Sequence, residues 1–450
     1  MDTLTKELDT NINIEIDEIV NQSFTSQKSL EKKSDNEIDL LITEISKKFA
    51  DNLKFWAEEE IKYTGIGNVT DKIHKLNLVT DRVYRELYGR KTYGRLSTDS
   101  PFIEFASPVG VIFGIVPLTN PVPNSLFKIL LSLKTRNSLI LSFPRKAEEL
   151  GEKVVKNIQQ ILKNHQLPIE IIQAIKSPSR NITHAVMSSN KVALILATGG
   201  SELVKAAYRS GTPAIGVGPG NVPVFVSATA DLQQAAESII EGKTYDNGIV
   251  CGSESNIIVD EEIYDKFIDI FESFGGLIID QEHQLQHVVD QLFDESTGHL
   301  KREIIGINAS QLLEYLSIDK PQGSIKLLVL KAHPTKFTFL NKEKMAPILT
   351  LHKAPKGQGI DLATELLWQQ GAGHTAVIHS HDQKEINDFA EKLSAGRILI
   401  NMPATHGMLG IYSDLPLSFM QGSGSWGGNI STDPVNWRHL VNIKRVCFRK

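Results

Sequence analysis

Cysteine is nearly absent: Cys251 and Cys447 are the only two in 450 residues. Two cysteines cannot build a disulfide framework, which fits a reducing cytoplasm. An excess of positive charge is also missing. The chain carries 48 Lys and Arg against 53 Asp and Glu, for a net charge of −5. That removes the electrostatic case for nucleic acid or an anionic membrane as partner. Long apolar runs are lacking too. The stretch VGVIFGIVPL (109–118) is about half of what a membrane span needs and contains Gly and Pro, so it reads as a buried strand. The N-terminal MDTLTKELDTNINIEIDE is acidic and has no apolar signal core. No internal repeat or low-complexity segment occurs. What remains is ordinary globular composition, 41% hydrophobic and 22% charged, with length for two or three domains.

The first hundred residues read as helical. Ile38, Leu41, Ile42, Ile45, Phe49 and Leu53 recur at helical spacing as one apolar stripe. Ser34 followed by Glu37 fits a capping box at its start. From residue 109 the pattern changes. The runs VGVIFGIV, SLILSF, IEIIQAI, VALILAT and PAIGVG read as strands, with NSLFKILLSLK, AEELGEKVVKNIQQIL and GSELVKAAYRS as helices between them. Uniformly apolar strands alternating with helices mean a parallel sheet covered on both faces. Ligands of such sheets sit at the carboxyl ends of the strands. A second α/β unit opens near residue 222: DLQQAAESIIEGK and IYDKFIDIFESFG read as helices and SNIIVD as a strand. The Gly- and Ser-rich QGSGSWGGNIS (421–431) reads as a tail segment that packs elsewhere.

Three short segments point to chemistry. In LATGGSE (196–202) a strand ends and Thr198-Gly199-Gly200-Ser201 opens a helix. A helix N-terminus offers free N–H groups and partial positive charge, which suit a phosphate, although such turns are often only tight connections. GVGPGN (216–221) lacks the third glycine of a dinucleotide fingerprint, is interrupted by Pro219 and opens no helix. Its glycines suit close backbone packing near a ligand or a thiol. In YDNGIVCGSE (245–254), Cys251 is either a small buried apolar residue or a nucleophile. No nearby residue in the sequence is an obvious base.

In order along the chain, EFASPVGVIFGIVPLTNP, VALILATGGSELVKAAYRSG, PAIGVGPGNVP, TYDNGIVCGSE, EKMAPIL, GAGHTAV, RILINMPATHG and GSGSWGGN together resemble the coenzyme A-acylating aldehyde dehydrogenases. The likeness covers residues 30–450 and is similar to the aldehyde half of bifunctional aldehyde–alcohol dehydrogenases and to stand-alone acylating relatives. The resemblance implies the following roles. Cys251 is the nucleophile. Asn120 in PLTNP is the side-chain half of an oxyanion hole, completed by the Cys251 N–H. Thr198, Gly199, Gly200 and Ser201 contact the pyrophosphate and adenine side of NAD, with NADP as the alternative, and Gly218 belongs to the same cofactor site. Glu343 binds the nicotinamide ribose. His374 lies near the thiol, helping to activate coenzyme A or orienting the substrate. No metal is implied. Val217 stands where acid-releasing relatives place a glutamate that activates water, so the acyl group should pass to a thiol, coenzyme A, as co-substrate.

The resemblance also implies an aldehyde dehydrogenase-like α/β fold in three parts. These are a parallel-sheet cofactor domain over 1–99 and 113–222, an α/β catalytic domain over 223–418, and a small β oligomerisation flap over 100–112 and 419–450. A homodimer or dimer of dimers is expected. Departures at GMLGIYSD (407–414) and FMQGSGSWGGN (419–429) fall where a substrate tunnel is expected. With Thr405 and His406 in MPATHG, they keep an anionic aldehyde such as sulfoacetaldehyde or succinate semialdehyde as the alternative to acetaldehyde or a similar short aldehyde. Phe143 replaces a lysine that many relatives place at the adenosine ribose, and Arg145 and Lys146 follow it. An acid-releasing dehydrogenase and a non-catalytic scaffold on this fold are the competing functions. The stretch before residue 30 reads as a frayed terminus, or alternatively as a docking peptide for a compartment shell.

Overall fold

The computed structural model describes residues 2–96, 102–294, 296–318, 324–333 and 336–449, with side chains described at residue 14 and from residue 16 onward. Among these residues no helix is long and apolar enough to cross a membrane. Fifteen strands form three sheets. The strands are β1 (Gly94–Arg95), β2 (Ile103–Pro108), β3 (Val111–Ile115), β4 (Ser138–Ser142), β5 (Ile172–Ala174), β6 (Val192–Thr198), β7 (Ala214–Val217), β8 (Val222–Val226), β9 (Glu254–Asp260), β10 (Gly276–Ile279), β11 (Leu327–Lys331), β12 (Ile348–Ala354), β13 (Gly373–His379), β14 (Ala395–Ile400) and β15 (Val441–Val446).

The first sheet is parallel in the order β5-β4-β3-β6-β7. Its chain order reverses between β3 and β6, and a crevice opens at such a switch point beyond the strand ends. Every residue of β3 and β4 is buried, which is why these runs are apolar without alternation. The second sheet is also parallel, in the order β10-β11-β12-β9-β8-β13-β14. The third is antiparallel and pairs β2 with both β1 and β15. The boundary expected between 112 and 113 falls inside β3, and the one at 222 falls on the first residue of β8.

The helix Asp35–Ala50 starts at the expected capping box: the Glu37 N–H donates to Ser34 Oγ at 3.3 Å, and the Ser34 N–H donates to Glu37 Oε2 at 2.8 Å. Ile38, Leu41, Ile42, Ile45 and Phe49 are fully buried, each worth roughly 1.5–3 kcal/mol of burial. The stripe stops there, because Leu53 opens a new helix, Leu53–Thr64. Two other readings need correction. IEIIQAI is a strand only over Ile172–Ala174, since Ile169–Ile171 forms a 3-10 turn after Pro168. The N-terminal stretch is not frayed over its described side chains. It lies in a helix, Asp2–Glu31, whose Ile16, Val20, Ser23, Gln27 and Leu30 are buried. Gln27 donates to the Arg136 carbonyl at 2.7 Å, and Gln173 donates to the Ile19 carbonyl at 2.9 Å. Its weak amphipathicity reflects polar residues that find tertiary partners.

Candidate active site

The carboxyl ends of β3, β6 and β7 open into a cavity of about 300 Å³. Behind β3 come Pro117, Leu118, Thr119 and Asn120; behind β6 comes Gly199-Gly200; behind β7 come Gly218 and Pro219. Opposite them stand Ile249, Val250 and Cys251, just ahead of β9, together with Glu343. Two sheets therefore share one cavity, and the expected Cys251, Asn120, Thr198, Gly199, Gly200, Gly218 and Glu343 all line it. Ser201 and His374 do not.

The loop that carries Cys251 is bent sharply. Asp246 (φ 47°), Asn247 (φ 56°) and Gly248 (φ 75°) are three successive left-handed residues. Asp and Asn tolerate that conformation better than most residues. Tertiary bonds hold them there. The Asp246 N–H donates to Asp71 Oδ2 at 2.7 Å, and Asn247 Nδ2 donates to the Gly306 carbonyl at 2.8 Å. Gly220 of GVGPGN packs against the thiol residue itself. A Cβ on Gly220 would lie 1.8 Å from the Cys251 carbonyl oxygen. That segment joins β7 to β8 and opens no helix, as its irregular spacing implied.

Cys251 is partly exposed, and the other cysteine, Cys447, is on the surface. Burial, with the carboxylate of Glu343 nearby, pushes the Cys251 thiol up to about 12. The Arg397 guanidinium and the N–H groups of Cys251 and Gly252 oppose that shift. Arg397 is buried behind the loop, where it donates to the carbonyls of His374 at 2.5 Å and Gly422 at 2.7 Å. It thereby ties the 421–431 segment onto the start of β13. His374 sits in this second layer. A Cβ on Gly220 would lie 3.4 Å from its Cγ, and one on Gly252 would lie 3.5 Å from its Cε1. Its Nδ1 is 3.0 Å from Thr375 Oγ1, and burial beside Arg397 lowers its pKa to about 3. The imidazole is neutral near pH 7.

Asn120 caps the helix Pro121–Lys134 without using its side chain as a cap. Its Oδ1 accepts from the Lys75 ammonium, which fixes the amide and leaves Nδ2 with only a long 3.4 Å approach to Thr119 Oγ1. Sequence reasoning missed Lys75, and also Lys128, which is fully buried in the helix Pro121–Lys134. Lys128 donates to the Ile115 carbonyl at 2.9 Å and Thr198 Oγ1 at 3.1 Å, and so pins the ends of β3 and β6 together.

The helix Ser201–Arg209 has no side-chain cap at Gly200, and no atom lies within 4 Å of where a Gly200 or Gly218 Cβ would stand. A free helix start beside open glycines on this cavity fits a dinucleotide pyrophosphate. The Phe143 ring is buried against Gly151.

Glu343 Oε1 accepts the Gly220 N–H at 3.2 Å, and burial raises its pKa to about 7. The fold therefore resists its ionisation. The stability this gives is complete below the ordinary value of 4.5 and is lost as pH rises through about 7. Glu343→Gln should then raise the melting temperature by a few degrees at about pH 8, with the gain shrinking toward about pH 5. Thermal unfolding across pH checks this; a gain independent of pH would contradict it.

The chain belongs to the aldehyde dehydrogenase family, whose profile matches residues 38–412. It is 32% identical over 439 residues to a succinate-semialdehyde dehydrogenase (acetylating) of Clostridium kluyveri, covering 97% of this chain and 96% of that one. It is 33% identical over 443 residues to the bifunctional aldehyde-alcohol dehydrogenase AdhE of Escherichia coli, covering 97% of this chain but 49% of AdhE, so it spans about half of that relative. The crystal structure of an acetylating aldehyde dehydrogenase from Geobacillus thermoglucosidasius matches it with a TM-score of 0.92 and 33% identity, covering 98% of each chain.

Proposed function

We propose that this protein interconverts a short neutral aldehyde, coenzyme A and NAD with the acyl-CoA and NADH, through a thioester on Cys251. The carrying observation is the cavity wall itself: a cysteine and an amide held by Lys75 line one cavity, together with apolar Val217, where the sequence resemblance places the glutamate of acid-releasing relatives. In the forward direction the Cys251 S–H gives its proton to solvent water as the sulfur adds to the aldehyde carbon. The oxygen becomes an oxyanion that accepts from Asn120 Nδ2 and the Cys251 N–H, a pairing commonly worth about 10²–10³ in rate per donor. Thr198, Gly199, Gly200, Ser201, Gly218 and Glu343 would hold NAD, which would supply the hydride acceptor. Collapse of the oxyanion, with the aldehyde hydrogen leaving as hydride, gives the Cys251 thioester. The thiol of coenzyme A then attacks the acyl carbon and releases the Cys251 sulfur. One thioester replaces another, so reduction of acyl-CoA is equally accessible. His374, neutral and behind the loop, orients the loop and the substrate through it.

Leu118, Ile249, Val250, Met408, Leu409 and Phe419 give the cavity much of its apolar lining. Among the described residues Lys75 and Glu343 are the only charged lining residues, and the Lys75 ammonium is committed to Asp246 and Asn120. An anionic tail would be desolvated there without a counter-ion, a heavy cost. Acetaldehyde and propionaldehyde should be used at least ~10-fold better in kcat/KM than succinate semialdehyde. NADH formation should stop when coenzyme A is withheld. Sustained turnover without the thiol would instead make this an acid-releasing enzyme.

We take 1–99 with 113–222 as the cofactor domain, 223–418 as the catalytic domain, and 100–112 with 419–450 as the oligomerisation flap. In support, β15 pairs only with β2 among the described strands, and Val446 and Phe448 beyond its middle are exposed. An open strand edge with apolar side chains suits pairing with a second copy in a homodimer.

A further inference from the structure

Behind Asn120 lies a group of four buried charges. Lys72, Lys75, Asp246 and Glu60 are each no more than 1% exposed. Lys72 Nζ is 2.8 Å from Glu60 Oε1 and 3.1 Å from Asp246 Oδ2, and Lys75 bonds the same Asp246 oxygen. Two ammonium groups face two carboxylates, so the group is neutral as a whole. Breaking a buried pair by removing one partner usually costs several kcal/mol, whereas its net worth to stability is small. Such a group therefore calls for an explanation other than stability.

Its outward bonds supply one. Lys72 donates to the Thr119 carbonyl at 2.5 Å, Glu60 Oε2 accepts the Val122 N–H at 2.9 Å, and Lys75 donates to Asn120 Oδ1. Three consecutive contacts thus fix residues 119–122. On the other side, Asp246 Oδ1 accepts the Asn68 N–H at 2.9 Å, and Asp246 sits five residues before Cys251. No room exists for slack at that joint, since a Cβ on Gly67 would lie 2.0 Å from Asp246 Oδ1. The lysines come from the helix Val69–Asn77, which runs into a π-helical segment, Leu78–Val83. Such segments are uncommon and often accompany functional sites.

Resting on the assignment of Cys251 and Asn120 above, we infer that Lys75 is a positioning residue for the oxyanion hole. Its ammonium takes the Asn120 carbonyl oxygen, turns Nδ2 toward the reacting oxygen, and through Asp246 holds that amide in register with the Cys251 loop. The ammonium also polarises the amide, making Nδ2–H a stronger donor as negative charge develops.

A double-mutant cycle tests this, with single-turnover NADH formation from acetaldehyde, NAD and coenzyme A as the readout. Asn120→Ala should lower the rate by about 10²–10³-fold. Lys75→Met, which keeps the apolar stem, should lower it by about 10–10²-fold, with KM for NAD and coenzyme A little changed. In the Asn120→Ala background, Lys75→Met should cost less than about twofold, because the group it acts through is gone. Lys75→Arg should recover part of the rate, and it carries the same comparison if Lys75→Met does not fold. If the two losses multiply, the positioning role is overturned while the assignment of Asn120 stands. If Asn120→Ala leaves the rate unchanged, the oxyanion assignment falls, and this inference falls with it.

Discussion

Cys251→Ala should abolish coenzyme A-dependent NADH formation, with a loss of at least ~10⁴-fold. No other lining residue can replace it. The remaining nucleophile candidates on the wall are the hydroxyls of Thr119, Thr198 and Ser418, the Lys75 amine, which is committed to Asp246 and Asn120, and the Glu343 carboxylate, which accepts the Gly220 N–H. Thr198 Oγ1 accepts from Lys128, and Ser418 Oγ donates to the Met420 and Val435 carbonyls at 2.9 and 2.8 Å. An alcohol is also a far weaker nucleophile than a thiolate without a base beside it. The fold should survive the change, since Cys251 is partly exposed and its side chain is small. The measurement is paired: a rate assay, and intact-protein mass after rapid quench with acetyl-CoA. Wild type should gain an acetyl group and the variant should not. Continued turnover by the variant would remove the sulfur from the mechanism.

Gly220→Ala should be nearly as damaging, lowering kcat by about 10²-fold or more although residue 220 contributes no reacting group. The added methyl would stand 1.8 Å from the Cys251 carbonyl oxygen and 3.4 Å from the His374 ring. Residue 220 and His374 cannot yield easily: residue 220 is tied to Glu343 through its N–H, and His374 lies within β13 with its carbonyl held by the Arg397 guanidinium. The relief must therefore come from the Cys251 loop, whose displacement separates sulfur from Asn120. A control at Gly218, where a Cβ meets nothing within 4 Å, should leave the thiol geometry intact. Alkylation kinetics of Cys251 in both variants would reveal the difference. A Gly220→Ala enzyme with full activity would mean that the loop tolerates the shift.

Much of this site could be read from the sequence because its parts are local. A capping box needs only Ser34 and Glu37, and an apolar strand followed by Thr198-Gly199-Gly200 announces a strand end and a helix start within a few residues. Cys251, Asn120 and Glu343 were found through the motifs around them, and all three line one cavity. Lys75 and Lys128 were not legible. DKIHKLN looks like a solvated helix face, and nothing nearby says that its two lysines are buried. The answer lies at Asp246, which is 171 positions away from Lys75. The short strand β5 was overread because Pro168 starts a turn that the apolar pattern hides. The docking of the N-terminal helix is hard to read because two of the five described residues it buries, Ser23 and Gln27, are polar.

The height of the Cys251 pKa has a consequence for the enzyme between turnovers. Peroxide and electrophilic metabolites attack sulfur mainly in its ionised form. Burial that raises the Cys251 pKa lowers the share of thiolate in the empty site, and with it the rate of such damage. The thiol of Cys447 lies on the surface, where oxidants reach it directly.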